Sequence, residues 1–183
     1  ILFTISNLWL NNKLNNFYLN FFRTYFKENI NKNLNLKRQI TTSLSDNYLN
    51  FSIIFYDKKN IDGSFPVKNI SIDLFTESNI LIILTISLCI SIPVDWQRKL
   101  ISTLIALIIV NLFILLKIYA FAIDNYSNPE FLVLNLSFPA KQIIYYFNKL
   151  FTITGFSLNY VIVVVIFFVS SIRIKDLEYF ANK

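Results

Sequence analysis

Apolar residues in this chain collect in long, almost unbroken stretches separated by polar, asparagine-rich segments. Asn79 to Val94 reads NILIILTISLCISIPV, Leu100 to Ile123 reads LISTLIALIIVNLFILLKIYAFAI, and Phe156 to Ile172 reads FSLNYVIVVVIFFVSSI. A helix crosses a bilayer with about 20 mainly apolar residues, and about 17 is the short limit. The middle stretch meets that length and the outer two meet it with a few flanking residues, so the pattern predicts three transmembrane helices. The opening ILFTISNLWL has the same character but is shorter, and counts as an incomplete fourth.

From residue 11 the period changes. Leu14, Phe17, Tyr18, Phe21, Phe22, Tyr25 and Phe26 recur at alternating spacings of three and one, which gathers them on one side of a helix, with Asn15, Asn16, Asn20 and Arg23 elsewhere. Residues 1–30 therefore read as the incomplete membrane helix continuing into an amphipathic aromatic one. Residues 31–78 read as an outward-facing β segment. Its β-branched and aromatic runs at 40–44 and 48–56, the turn residues from Asp57 to Gly63 and the alternation at 67–74 predict two or three antiparallel strands. Residues 79–183 hold the three long apolar stretches, with an interfacial helix at 138–150 that Ser137 caps and Pro139 opens. The predicted class is an all-α membrane protein of about four transmembrane helices with a small extramembrane antiparallel β segment.

A sheet of two or three strands buries little core by itself. It has to rest on the aromatic helix or on another subunit, and that need is the pattern's argument for a partner. The partner-facing candidates are Phe17, Phe21, Phe22 and Tyr25 on the helix and Phe51, Ile53 and Phe55 in the β segment. Other membrane-protein subunits and the lipid bilayer are the expected neighbours.

Composition supports the bilayer as solvent. Of the 183 residues, 55% are hydrophobic and only 15% charged, with a mean hydropathy of +0.51, whereas soluble domains carry about a quarter charged residues. The net charge of +6 comes from scattered cations such as Lys37-Arg38, Lys58-Lys59 and Arg98-Lys99. No basic stripe interleaved with aromatics appears, so no nucleic-acid partner is expected. Arg98 and Lys99 in the tight connection at 95–99, with Arg173, Lys175 and Lys183 beyond the last stretch, put that loop and the C-terminus on the cytoplasmic or matrix side under the positive-inside rule. Nine Lys or Arg in residues 11–78 pull the other way, but long segments translocate largely regardless of charge. The expected location is a bacterial inner membrane, with the mitochondrial inner membrane as the alternative.

Chemistry is sparse. With two Gly and no His, the chain lacks the material for a glycine-rich phosphate cradle or a histidine base. No cofactor and no metal are expected, since Glu28, Asp46, Asp57, Asp62, Asp73 and Glu77 follow no ligand-like spacing. Cys89 lies in an apolar helix with nothing near it in sequence to make a thiolate. Polar groups inside apolar helices are the remaining pointers, and these are Asn111 and Lys117. No carboxylate sits in an apolar stretch to accompany Lys117, so no proton relay or ion-coupled site is read.

Three features together carry a resemblance. These are the run IDLFTESNILIILTISLCISIPVDWQRKLISTLIALIIVNLFILLKIYA, its proline and basic turn from Pro93 to Lys99 between two apolar helices, and YYFNKLFTITGFSL before the last stretch. Residues 70 to 172 so laid out resemble the small membrane proteins associated with bacterial exosortase-type sorting systems. The resemblance implies an inner-membrane protein of undefined biochemical role in envelope export. The sorting enzymes themselves use a Cys, an Arg and a His; this chain offers Cys89 and no His, so the resemblance implies a non-catalytic relative.

The expected function is that of a non-catalytic accessory or structural subunit of a membrane assembly. The abundance of Asn, Ile, Phe, Lys and Tyr is also what an AT-rich genome writes, so an organelle-encoded structural subunit of a respiratory or ATP-synthase complex is an alternative. A membrane enzyme acting on lipid or peptide through Cys89 or Lys117 is the third.

Overall fold

The structure is a computed structural model that describes residues 2–25, 28, 38–74, 78–91, 95–128, 134, 136–152 and 158–171. Helix α1 (Leu2–Tyr25) comes first, then strands β1 (Arg38–Ser45), β2 (Tyr48–Phe55) and β3 (Val67–Asp73). Four helices follow: α2 (Ile80–Ser91), α3 (Trp96–Ser127), α4 (Phe138–Thr152) and α5 (Leu158–Ser171).

The strands form one antiparallel sheet in the order β1-β2-β3. Its register sets Thr42 opposite Phe51 and Phe51 opposite Ile70. Side chains alternate across a pleated strand, so this register collects Ile40, Leu49, Phe51, Ile53, Phe55, Ile70 and Ile72 on one buried face. The opposite face carries Gln39, Thr41, Ser43, Tyr48, Asn50 and Ser52. Two residues turn β1 into β2, with Asp46 at φ +51°, a left-handed conformation that Asp tolerates better than most residues. The longer β2–β3 connection closes on itself. Asn60 N donates to Ser64 O at 2.9 Å, Gly63 takes φ +82°, and Asp62 Oδ1 accepts from both Ser64 N at 3.0 Å and Ser64 Oγ at 2.7 Å. Those two bonds, the hydroxyl first, hold the Asp62 carboxyl below its ordinary range.

The sheet's apolar face is covered from within the chain. Phe51 sits at the junction, its ring edge-on to Phe22 of α1 at 5.8 Å and to Tyr126 of α3 at 6.4 Å. Of the two supports that a small sheet could have, the aromatic helix is therefore one that it uses. The same core continues among the helices through Leu81, Ile82 and Cys89 of α2, Ala106, Val110, Ile114 and Ile118 of α3, and Val163 and Ile166 of α5.

Helix α3 is the spine. At its start, Lys99 Nζ donates to Ile90 O near the end of α2 at 3.0 Å, and Arg98 Nη2 donates to Ser171 O at the end of α5 at 3.2 Å. Further along, Lys117 Nζ donates to Asn159 Oδ1 near the start of α5 at 3.1 Å, so α5 runs antiparallel to α3. Helix α4 reads in the same direction, since Lys141 Nζ reaches Ser127 O at 3.3 Å and Asn148 Nδ2 reaches Ala120 O at 3.1 Å.

The expectation of an all-α protein with about four transmembrane helices is corrected. Five helices are described, and among the described residues only α3, with 32 residues, is long and apolar enough to cross a membrane. At 1.5 Å per residue the 12 residues of α2 rise about 18 Å and the 14 of α5 about 21 Å, against a hydrocarbon core of roughly 30 Å. Helix α1 has the length, 24 residues, but the polar run Asn11-Asn12-Lys13 with Asn15 and Asn16 interrupts its apolar character. Hydropathy counts apolar residues, whereas spanning requires helical length as well. The antiparallel sheet agrees with the expectation.

Candidate functional site

The described residue that physical chemistry singles out is Lys117, a cation in the one described helix long and apolar enough to cross a membrane, and only 4% exposed. A buried cation is costly unless hydrogen bonds or an opposite charge compensate it. Here Asn159 supplies one hydrogen bond, and two other elements line the space beside it. Asn159 of α5 accepts a hydrogen bond from the ammonium and is itself anchored, Nδ2 donating to Phe151 O at 3.4 Å. Asn148 of α4, buried and bonded to Ala120 O, lines the same space. The end of β3 brings Ser71, Ile72 and Asp73 to it.

Lys117, Asn148 and the β3 residues Ser71, Ile72 and Asp73, with Ile118 and Phe121, line a cavity of about 110 Å³. Ser71 Oγ donates to Asn50 Oδ1 at 2.6 Å, which ties the cavity's strand side to the middle strand.

The sequence reading identified Lys117 but found no carboxylate to accompany it. In the structure Asp73, at the end of β3, lines the same cavity.

Asn111 does different work. Its Oδ1 accepts from Tyr18 Oη at 2.8 Å and its Nδ2 donates to Leu107 O at 2.8 Å, so it joins α1 to α3. Cys89 is a buried free thiol among packed apolar side chains. Among the described residues, no three His, Cys, Asp or Glu side chains come together.

The candidate partner-facing residues divide. Phe22, Phe51, Ile53 and Phe55 are buried against the chain's own helices and sheet. Tyr25 is half-buried against Tyr119, the ring centroids 5.5 Å apart and its Oη donating to Tyr119 Oη at 3.2 Å. Phe17 and Phe21 remain exposed, at 49% and 43%. The helix stripe that looked uniform in sequence thus has an inner edge that holds the sheet and an outer edge that faces away.

Apolar exposure runs along α3, α4 and α5, with Phe138 and Ile143 among the most exposed on α4. Leu100, Ile101, Leu104, Ile105, Ile108, Leu112 and Leu116 line one side of α3, and Val161, Val164, Val165, Phe168 and Val169 one side of α5. The chain matches no known family, and neither curated proteins nor solved structures give a match.

Proposed function

We propose that this chain is a non-catalytic integral membrane subunit, inserted through α3, that joins a larger membrane assembly. The single observation that carries the reading is the exposed apolar side of α3 between Lys99 and Lys117. Seven large aliphatic side chains in that interval are solvent-accessible in the isolated chain, and so continuous an apolar surface marks a membrane or protein contact rather than one left in water. Lys99 and Lys117 are separated by about 27 Å of helical rise, close to the hydrocarbon thickness, with Trp96 at one end as an interfacial aromatic.

Within this reading, Arg98 and Lys99 favour the loop at 95–99, and the basic residues after 172 favour the C-terminus, on the cytoplasmic or matrix side. Phe17 and Phe21 are the partner-facing part of α1. The assembly is one of envelope export in a bacterial inner membrane, in keeping with the layout resemblance of residues 70 to 172.

The test is alkaline carbonate extraction of native membranes, followed by mild-detergent purification and mass spectrometry of what stays bound at stoichiometric level. The chain should remain in the carbonate pellet and be recovered with other membrane subunits. Release by carbonate removes the membrane assignment, and recovery as a stable monomer removes the subunit assignment. Recovery with respiratory or ATP-synthase subunits moves the chain to an organelle.

A further inference from the structure

We propose that the β2–β3 loop, residues 57–66, docks the chain onto an outward-facing protein that offers an apolar socket edged by carboxylates. Ile61 is the inserted side chain, and Lys58 and Lys59 are the charges that the carboxylates meet. The inference deepens the subunit reading above, on which it rests, by naming a contact and the chemistry of its partner. Three observations carry it.

The first is an apolar side chain held out of the fold. Ile61 is the most exposed large apolar residue among those described, at 110% of its reference area. One exposed isoleucine is ordinary on a surface. This one stands on a loop that its own bonds fix in shape. Phe55 N donates to Pro66 O at 3.1 Å at the base, and Gly63 N donates to Asn60 O at 3.0 Å across Ile61 and Asp62. Asn60 Nδ2 donates to Ser64 Oγ at 3.0 Å, and the Phe65 ring packs edge-on against Tyr56 at 4.9 Å. A loop already ordered loses little freedom on binding, so a side chain that it projects is an effective anchor.

The second is charge. Of the loop's carboxylates, Asp57 pairs with Arg38 of β1 at 3.9 Å and Asp62 accepts the two Ser64 bonds. Lys58 and Lys59 are exposed just before Ile61 in the loop, and Lys68 is exposed on the adjoining end of β3. This end of the sheet thus carries an excess of positive charge around an apolar tip, and its complement is an apolar recess with acidic edges.

The third is position. Asp73 lines a cavity with Lys117, while Phe51, further along β2 from Tyr48, the register partner of Asp73, packs against Tyr126. Strand β2 therefore runs along α3 away from Lys99. About 23 Å of strand rise separates Tyr48 from Phe55, and the loop lies beyond. With Lys117 at the far boundary of the hydrocarbon, that rise carries the loop past a headgroup layer of roughly 5–8 Å, so a protein rather than a lipid surface faces it.

The experiment places a diazirine-bearing aliphatic amino acid at position 61 of the full chain in native membranes, irradiates, and maps the crosslinked peptides by mass spectrometry. The expected product is one other protein, joined at a stretch that contains Asp or Glu. Lys58→Glu together with Lys59→Glu should lower its yield about tenfold. Gly63→Ala, where space is open but φ is +82°, should disturb the tip and lower the yield as well. All three positions are exposed, so these variants keep the fold, which circular dichroism checks. Crosslinks to lipid, to a second copy of this chain or to a protein stretch without acidic residues overturn the proposal. So do the absence of crosslinks and a yield that ignores either substitution. The same probe at position 17 separates this inference from the subunit reading. Crosslinks from 17 with none from 61 remove the loop contact alone; none from either position removes both.

Discussion

The Tyr18 hydroxyl donates a hydrogen bond to Asn111 Oδ1 at 2.8 Å, joining the aromatic helix to the middle of α3. Both partners are committed. Tyr18 is fully buried, and the Asn111 amide nitrogen bonds the carbonyl one turn back. Tyr18→Phe removes the donor and leaves the amide oxygen to find another, which is worth about 1 kcal/mol for an interhelical bond of this kind. A double-mutant cycle with Asn111→Leu, read by thermal unfolding in detergent, should return a coupling energy of that order; strict additivity would mean the bond does not hold the helices together.

Phe51 is the residue where sheet, α1 and α3 meet. Truncation of a buried phenylalanine costs about 3–5 kcal/mol. Phe51→Ala should therefore loosen the sheet from the helices, seen as rapid proteolysis within residues 38–74 while α3 stays protected. Unchanged protection of the strands would show that the other inner-face residues hold the sheet without it.

Thr42 faces Phe51 across the strand pair, and its hydroxyl oxygen is buried with no hydrogen-bond partner among the described residues. Thr42→Val keeps the shape and deletes the buried polar atom, so stability should rise, by up to about 1 kcal/mol. A loss of that size on chemical denaturation would mean that the hydroxyl is satisfied after all.

Asp62 gives a pH dependence with a definite sign. Its folded pKa lies below the ordinary 3.8 because Ser64 bonds the charged form. The group therefore contributes its local stabilisation above 3.8, and the contribution fades as pH falls from there through the depressed folded value. Amide exchange in the 57–66 loop should accelerate across that acid window, and Ser64→Ala should flatten the profile. The carboxylate is fully exposed, so the effect stays within the loop.

Ile108 is 62% exposed midway along the apolar side of α3. If that side meets lipid, Ile108→Lys makes insertion less favourable by about 2.5–3.5 kcal/mol. The variant should shift from the carbonate pellet to the supernatant. Full retention would point to a protein partner, or to water, at that position.

Much of the sheet was legible in the order of residues. Its alternation, its β-branched content and the Asp, Asn and Gly of its turns are local signals, and local signals survive reading along a line. The number of spans was not, because apolar content and helical length are different quantities. The runs around α2 and α5 are apolar enough, yet the helices are short beside a bilayer. The candidate site was half legible. Lys117 stands out as a cation among aliphatics, but Asp73, Asn148 and Asn159 come from a strand end and two later helices, and no periodicity relates them. The aromatic stripe of α1 was found as a stripe; which edge is covered depends on where the sheet folds back, and Phe22 and Phe17 look alike until then.

Arg98 and Lys99 bond carbonyls at the last turns of α5 and α2, where helix dipoles end negative. The same cations belong to the charge pattern that insertion machinery weighs when a chain chooses its orientation. If α3 crosses a membrane, recognition by that machinery and closure of the folded bundle draw on one pair of side chains. A substitution that neutralised them to invert the protein would then also unfasten it, and orientation and fold would be inherited together.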